Sequence, residues 1–90
     1  MIKRTLYFGN PAYLHKNLQQ LKVIKPDDNT ELGTIPIEDI GAVLLDNPQI
    51  TITHALLAAL LERNVAIISC DSKHLPVGLM LPLDGNTLQT

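Results

Sequence analysis

The stretch GAVLLDNPQITITHALLAALLERNVAIISCD, residues 41–71, determines the fold that we predict. Continuous apolar runs at 41–46 and 65–71, each ended by an aspartate, are typical of strands buried in a core. Between them Thr53 can cap a helix that continues to about Arg63, with leucines at helical spacing. A strand, a helix and a second strand in this order predict a right-handed crossover between two parallel strands.

The flanking residues add strands and turns but no second helix. Residues 2–9 alternate apolar and polar side chains as a half-buried strand does, and Gly-Asn-Pro then turns the chain. Two more strands, at 12–16 and 20–25, are joined by a hairpin loop. The remaining predicted elements are a polar turn at 26–33, a short extended segment at 34–40 and a last strand at 77–81. We therefore predict an α+β, mostly β fold: a small β-rich, β-sandwich-like domain with one main helix in a strand-helix-strand unit.

The composition limits the core and the compartment. Ninety residues suffice for one modest core, and with only three aromatic residues that core has to be aliphatic. The single cysteine, Cys70, excludes an internal disulfide and fits a reducing cytosol. No signal peptide is visible, and the apolar runs are far shorter than the ~20 residues that span a bilayer. We expect a cytoplasmic protein without a membrane partner.

Charge is distributed unevenly along the chain. Residues 1–25 hold five basic side chains and no acid, a charge of +5, whereas residues 26–90 hold nine acids and two bases, a charge of −7; together they give the net −2. Such asymmetry indicates that the N-terminal segment faces a polyanion. The alternative is an ordinary solvated strand face that is basic.

The sequence Cys70-Asp-Ser-Lys-His74 is the one place where a thiol, a carboxylate and an imidazole lie close together along the chain. A nucleophilic cysteine needs a base within hydrogen-bond reach, and the end of a buried strand is a common place for such groups. A small buried thiol followed by an ordinary turn is the simpler interpretation.

His54 with Asp46 or Glu62 lacks the spacing of a metal-ligand pair, and we interpret His54 as a partly exposed residue in the first turn of the helix.

The basic first quarter also contains every aromatic residue. Lysine and arginine on strands can neutralise phosphates, and tyrosine or histidine rings can stack on an exposed base. We expect Tyr13 and His15 to face outward and Phe8 to face the core, and we leave Tyr7 open.

The order of these motifs resembles a known family. MIKRTLYFGNPAYL followed by IPIEDIG, ITITHALL and CDSKHLPVGL is similar to the N-terminal domain of the universal CRISPR-associated adaptation endonuclease, the integrase that inserts new spacers, in its type II form. The similarity extends along nearly all ninety residues. It implies that residues 1–90 are an N-terminal β-rich domain and that the helical C-terminal catalytic domain of the family is absent from them.

The resemblance also implies partners and chemistry. Family members form homodimers partly through these sheets, bind protospacer and CRISPR repeat DNA, and assemble with the small second adaptation protein. Their transesterification uses magnesium or manganese held in the helical domain, so we expect neither catalytic nor metal-binding residues here. We hypothesise DNA contacts for the basic and ring residues of the first quarter: Lys3, Arg4, Tyr13, His15, Lys16, Lys22 and Lys25. Tyr7 is a third candidate for a ring at a duplex end. Two alternatives are a self-contained module whose sheet edge binds another chain, and a small Cys-His enzyme.

Overall fold

The computed structural model describes residues 3–83, which form two four-stranded sheets and one helix. The strands are β1 Arg4–Phe8, β2 Ala12–Asn17, β3 Gln20–Lys25, β4 Thr30–Pro36, β5 Ile40–Leu45, β6 Ile50–Ile52, β7 Ala66–Cys70 and β8 Pro76–Met80, and the helix is α1 His54–Glu62. This architecture confirms the predicted α+β, mostly β fold with one main helix.

The first sheet, called sheet A, has the strand order β1-β5-β7-β8. Its first three strands are parallel, and β8 is antiparallel to β7. The predicted parallel pairing of the two strands that flank the helix is confirmed, because Val43 of β5 lies opposite Ile67 of β7.

The second sheet, called sheet B, has the order β4-β3-β2-β6. Strands β2, β3 and β4 form two successive antiparallel hairpins, and β6 lies parallel to β2. The predicted hairpin between β2 and β3 is confirmed, and its turn places the non-glycine residue Leu18 at a φ of 58°. The connection from β5 to β7 therefore visits sheet B, as β6, before it forms the helix.

Both sheets and the helix share one aliphatic core. Its buried members come from β1, β2, β3, β5, β7, α1 and the adjoining turns: Leu6, Ala12, Leu14, Leu21, Val23, Ile37, Ile40, Val43, Leu56, Leu60, Val65 and Ile67. No aromatic residue belongs to this buried set, and Phe8 packs against its margin, as expected for an inward-facing ring. Both sheets thus pack on one core, and the chain passes from one sheet to the other several times.

The helix begins and ends as its sequence predicts. The Thr53 hydroxyl accepts a hydrogen bond from the backbone N–H of Leu56 at 3.3 Å, which satisfies one of the free donors of the first turn. Asn64 adopts a φ of 63° just after the helix, a left-handed conformation that asparagine tolerates. Within residues 3–83 no helix is both long and apolar enough to cross a membrane.

Two local predictions were wrong, and one strand was not predicted. Strand β4 begins at Thr30, inside the predicted polar turn, because Thr30 and Glu31 still pair with β3; only residues 26–29 make the turn. Residues Ile37–Asp39, predicted as extended, form a short 3-10 turn that buries Ile37. The strand that was not predicted is β6, whose three residues pair with β2.

Candidate nucleic-acid interface and the Asp46 cluster

The residues predicted to contact DNA lie on both sheets. Lys3 and Arg4 are exposed at the start of β1 in sheet A. The other five lie on neighbouring strands of sheet B: Tyr13, His15 and Lys16 on β2, and Lys22 and Lys25 on β3. The structure therefore brings the second group together on one sheet and leaves the first pair on the other.

Tyr13 and His15 form a stacked pair on the outer face of sheet B. Their ring centroids are 5.2 Å apart, and the ring planes differ by 22°. The intervening residue Leu14 is fully buried, so the alternation of β2 turns both rings away from the core, as predicted. Tyr13 is 36% exposed and His15 is half-buried. The two rings form one aromatic surface, of which Tyr13 is the more exposed member.

Two details limit how this face can bind an anion. Lys22, directly across from His15, already pairs with Glu31 of β4 at 3.0 Å between Nζ and Oε1. The Nε2 atom of His15 is buried and has no hydrogen-bond partner among the described residues. A phosphate that contacts Lys22 therefore competes with Glu31, and His15 can offer an external ligand only its ring face or Nδ1.

A second group of polar side chains surrounds Asp46, which is only 5% exposed. Tyr7 donates its hydroxyl to Asp46 Oδ2 at 2.6 Å. His74 Nδ1 lies 2.9 Å from Oδ1 and 3.0 Å from Oδ2 of the same carboxylate. We call Tyr7, Asp46, Cys70 and His74 the Asp46 cluster; Cys70 is included because, after burial, the charge of Asp46 contributes to the raised pKa of its thiol.

The parallel strands of sheet A bring this cluster together. Tyr7, Asp46 and Cys70 stand at or just beyond the carboxyl ends of β1, β5 and β7, which meet at one edge of the sheet. The backbone N–H of Asp46 donates to Phe8 O at 2.9 Å and extends the ladder by one residue. A Cβ at Gly9 would lie 2.8 Å from Cε2 of the Tyr7 ring, so glycine is needed there for the ring to lie over the corner.

The turn between β7 and β8 delivers His74 to the carboxylate. The side chain of Asp71 accepts hydrogen bonds from the backbone N–H groups of Lys73, at 2.8 Å, and Leu75, at 3.0 Å. His74 itself adopts a φ of 65°, a left-handed conformation that costs energy for a residue other than glycine. The hydrogen bonds that Asp71 and Asp46 accept hold the turn in this conformation.

The contacts change the acidities within the cluster. The pKa of Asp46 is lowered because Tyr7 and then His74 stabilise the carboxylate, against an opposing effect of burial. The pKa of Tyr7 is raised because its hydroxyl donates to Asp46, with burial and the nearby negative charge adding to the effect. Burial, followed by the charges of Asp46 and Asp71, raises the pKa of Cys70.

These acidities disfavour the Cys-His enzyme. A nucleophilic cysteine requires a lowered thiol pKa, whereas Cys70 keeps its proton more firmly than a free cysteine. His74 is hydrogen-bonded to Asp46, while His54 lies exposed at the start of α1. Within residues 3–83 no three His, Cys, Asp or Glu side chains come together in a way that could hold a metal ion.

Sequence reasoning missed the Asp46 cluster as a unit. It considered Asp46 only with His54, and His74 only with Cys70. The available signal was the position of Asp46 and Cys70 at the ends of two predicted parallel strands, since carboxyl ends of parallel strands meet at one edge. The participation of Tyr7 required the parallel pairing of β1 with β5, which local sequence does not specify.

Comparison with known proteins identifies the family of this two-sheet domain. The family described as CRISPR associated protein Cas1 matches residues 6–90, and the chain belongs to it. The chain is 35% identical over 82 residues to the CRISPR-associated endonuclease Cas1 of Neisseria meningitidis serogroup C (strain 8013). That alignment covers 91% of this chain and 26% of the relative, so the chain spans about a quarter of its relative's length.

Solved structures share the fold at lower identity. A chain of a partial Cas6-RT-Cas1–Cas2 complex matches with a TM-score of 0.78 and 21% identity, over 91% of this chain and 24% of that one. A crystal structure described as a TtCas1-DNA complex matches with a TM-score of 0.70 and 17% identity, over 88% of this chain and 28% of that one. At these identities the matches establish the shared fold.

The lowered pKa of Asp46 predicts how stability depends on pH. Ionised Asp46 should contribute fully to the free energy of unfolding above its pKa in the unfolded chain, about 3.9. This contribution should be lost as the pH falls through the lower pKa of the folded chain. Asp46→Asn should therefore lower the free energy of unfolding at pH 7, and the difference from wild type should shrink in acid. Urea titrations from pH 7 to pH 2 measure it. Asp27→Asn, at an exposed turn position, is the matched control. A destabilisation by Asp46→Asn of the same size at every pH would contradict the lowered pKa of Asp46.

The raised pKa of Cys70 predicts an unreactive thiol. Because the thiolate is the nucleophile, a thiol-labelling reagent should modify the native chain at pH 7.5 much more slowly than the urea-unfolded chain. Asp46→Asn removes one source of negative charge and should speed labelling of the folded state. Native labelling as fast as that of the unfolded chain would restore the Cys-His enzyme as a hypothesis.

Proposed function

We propose that this chain is the N-terminal dimerisation and DNA-holding domain of a CRISPR spacer-acquisition endonuclease and integrase, which acts in adaptive antiviral defence. Membership of the Cas1 family and 35% identity to a relative named as an endonuclease support this proposal. In the full-length protein, captured DNA would be inserted into the CRISPR array by metal-dependent transesterification. The magnesium or manganese ion would be held in the helical domain of the family, not by the residues described here.

The DNA-holding role rests chiefly on the outer face of sheet B. This face carries the aromatic stack of Tyr13 on His15, together with Lys22 opposite His15. Lys16 and Lys25 lie exposed at the ends of the same two strands but on the opposite side, that of the buried Leu21 and Val23. Lysines neutralise backbone phosphates without regard to sequence, and aromatic rings stack on bases of any type. A face of this composition suits an enzyme that captures DNA of many sequences.

Among the three ring candidates, the Tyr13–His15 stack suits a duplex end best. The Tyr7 hydroxyl is bound to Asp46, and its ring lies against the Gly9 corner, so it has a structural role already. Tyr13 is 36% exposed and makes no comparable hydrogen bond among the described residues. We therefore assign the ring contact with DNA to Tyr13, supported from behind by His15.

Self-association is the second part of the proposal. The continuous apolar sequences of β5 and β7 are typical of strands covered on both faces, yet in the described residues Leu44 and Ile68 are only half-buried. In the same row across sheet A, Leu79 of β8 is 59% exposed. A second copy of the chain would cover this apolar row. Further partners would be protospacer DNA, CRISPR repeat DNA and the small second adaptation protein, since Cas1–Cas2 assemblies occur among the proteins of the same fold.

The DNA surface can be tested by replacing its basic residues. The triple variant Lys16→Ala, Lys22→Ala and Lys25→Ala should bind duplex DNA more weakly and with a flatter dependence on salt, because the slope falls by about 0.9 for each lost phosphate contact. Fluorescence anisotropy with a labelled duplex at roughly 50 to 300 mM salt measures both the affinity and its dependence on salt. Arg63→Ala, at an exposed position after α1, is the control; a wild-type slope in the triple variant would refute the surface.

The apolar row of sheet A can be tested by introducing a charge. Leu79→Glu should shift the wild-type chain from dimer to monomer, because an unpaired carboxylate would be buried at the interface. Sedimentation velocity at several protein concentrations measures the change. Leu32→Glu changes an equally exposed leucine on β4 of sheet B and should leave the dimer intact. A Leu79→Glu chain that dimerises like the wild type would place the interface elsewhere.

A further inference from the structure

The turn at residues 71–75, which joins β7 to β8, presents two basic groups that lie outside the basic first quarter. Lys73 and His74 are both exposed, and Lys73 forms no ion pair within residues 3–83. The neighbouring carboxylates are occupied internally: Asp46 accepts from Tyr7 and lies against His74, and Asp71 accepts two backbone N–H groups. The outward-facing groups of the turn are therefore cationic or neutral.

His74 is held in a defined position although its side chain is 71% exposed. Its Nδ1 atom is engaged by Asp46, so Nε2 is the ring nitrogen that remains for an external partner. The left-handed backbone of His74 has an energetic cost that the Asp46 contact helps to offset. An exposed imidazole fixed in this way loses little conformational freedom when it binds a ligand.

The charge around His74 depends on the groups that face it. Tyr7 from β1 and Cys70 from β7 keep their protons because the pKa of each is raised, and Asp46 from β5 is ionised. On the turn itself, Lys73 is positive and Asp71 is negative. Lys73 is thus the ammonium cation of the turn, with Asp71 as its neighbouring anion, and the Asp46 carboxylate is directed at the His74 ring.

We infer that the turn at residues 71–75 is a second phosphate-contacting site for duplex DNA, with Lys73 and His74 as the contacts and Asp46 as the residue that positions His74. An ammonium group and an imidazolium N–H are both charge-assisted donors to a phosphodiester oxygen. The inference rests on the proposed DNA-holding function and adds residues from outside the basic first quarter to it.

The test measures duplex affinity by fluorescence anisotropy for the whole chain at several salt concentrations. Lys73→Ala and His74→Ala should each weaken binding and flatten the salt slope by about 0.9 at pH 6. His54→Ala removes another exposed imidazole, on α1, and should match the wild type.

A lysine substitution separates the charge of His74 from its contact with Asp46. His74→Lys should keep the salt slope, because it places a cation at the same position, even if the chain becomes less stable. Asp46→Asn should weaken binding at pH 6 less than His74→Ala does, since it loosens the contact without deleting it.

The outcomes distinguish this inference from the wider proposal. If the sheet B lysine variant loses affinity while Lys73→Ala and His74→Ala keep the wild-type slope, the turn is not a phosphate site and the DNA-holding function stands. If His74→Lys binds as poorly as His74→Ala, the role of His74 is structural and the inference is wrong. A wild-type chain without measurable affinity for duplex DNA would overturn both.

Discussion

The aliphatic core between the two sheets is the constraint on which the remaining structure depends. A chain of 90 residues can bury roughly 60 to 65% of its unfolded surface, which leaves room for one core only. Leu14 of sheet B, Val43 of sheet A and Leu56 of the helix are all fully buried in that core. Strands of both sheets and the helix supply buried side chains to that volume while β8 supplies none, so the chain changes sheets as it returns to the core, and the outer faces of both sheets are left available for partners.

The Asp46 cluster follows from those changes of sheet. The chain leaves sheet A after β1 and again after β5, and the two exits lie side by side: Asp46 N donates to Phe8 O, and the side chain of Asn47 donates to Gly9 O at 3.3 Å. The neighbouring strands bury a carboxylate at this position, and a buried carboxylate requires hydrogen-bond partners. Tyr7 supplies one from the strand that precedes the corner, and His74 supplies the other from the turn that follows β7. One acidic residue thereby connects three segments that are distant along the chain.

Sequence reasoning recovered the features that local pattern determines and missed those that pairing determines. The helix from Thr53, the β2–β3 hairpin and the parallel pairing of β5 with β7 are encoded in periodicity, capping and turn residues. The strand β6 is three residues long, too short to show a period, and exists because β2 offers it an edge. The contact of Tyr7 with Asp46 spans 39 residues and depends on the register between β1 and β5. No single segment contains that information.

The uneven distribution of charge along the chain does not correspond to a single basic sheet in the folded structure. The first 25 residues carry every predicted basic contact, yet β1 belongs to sheet A and β2 and β3 belong to sheet B, so the +5 segment is divided between two sheets. Lys22 is moreover already paired with Glu31. A polyanion that contacts Lys3 and Arg4 together with the lysines of sheet B has to cover parts of both sheets. A linear cluster of charge therefore predicts the kind of ligand, whereas the strand order determines which of its members one ligand can reach together.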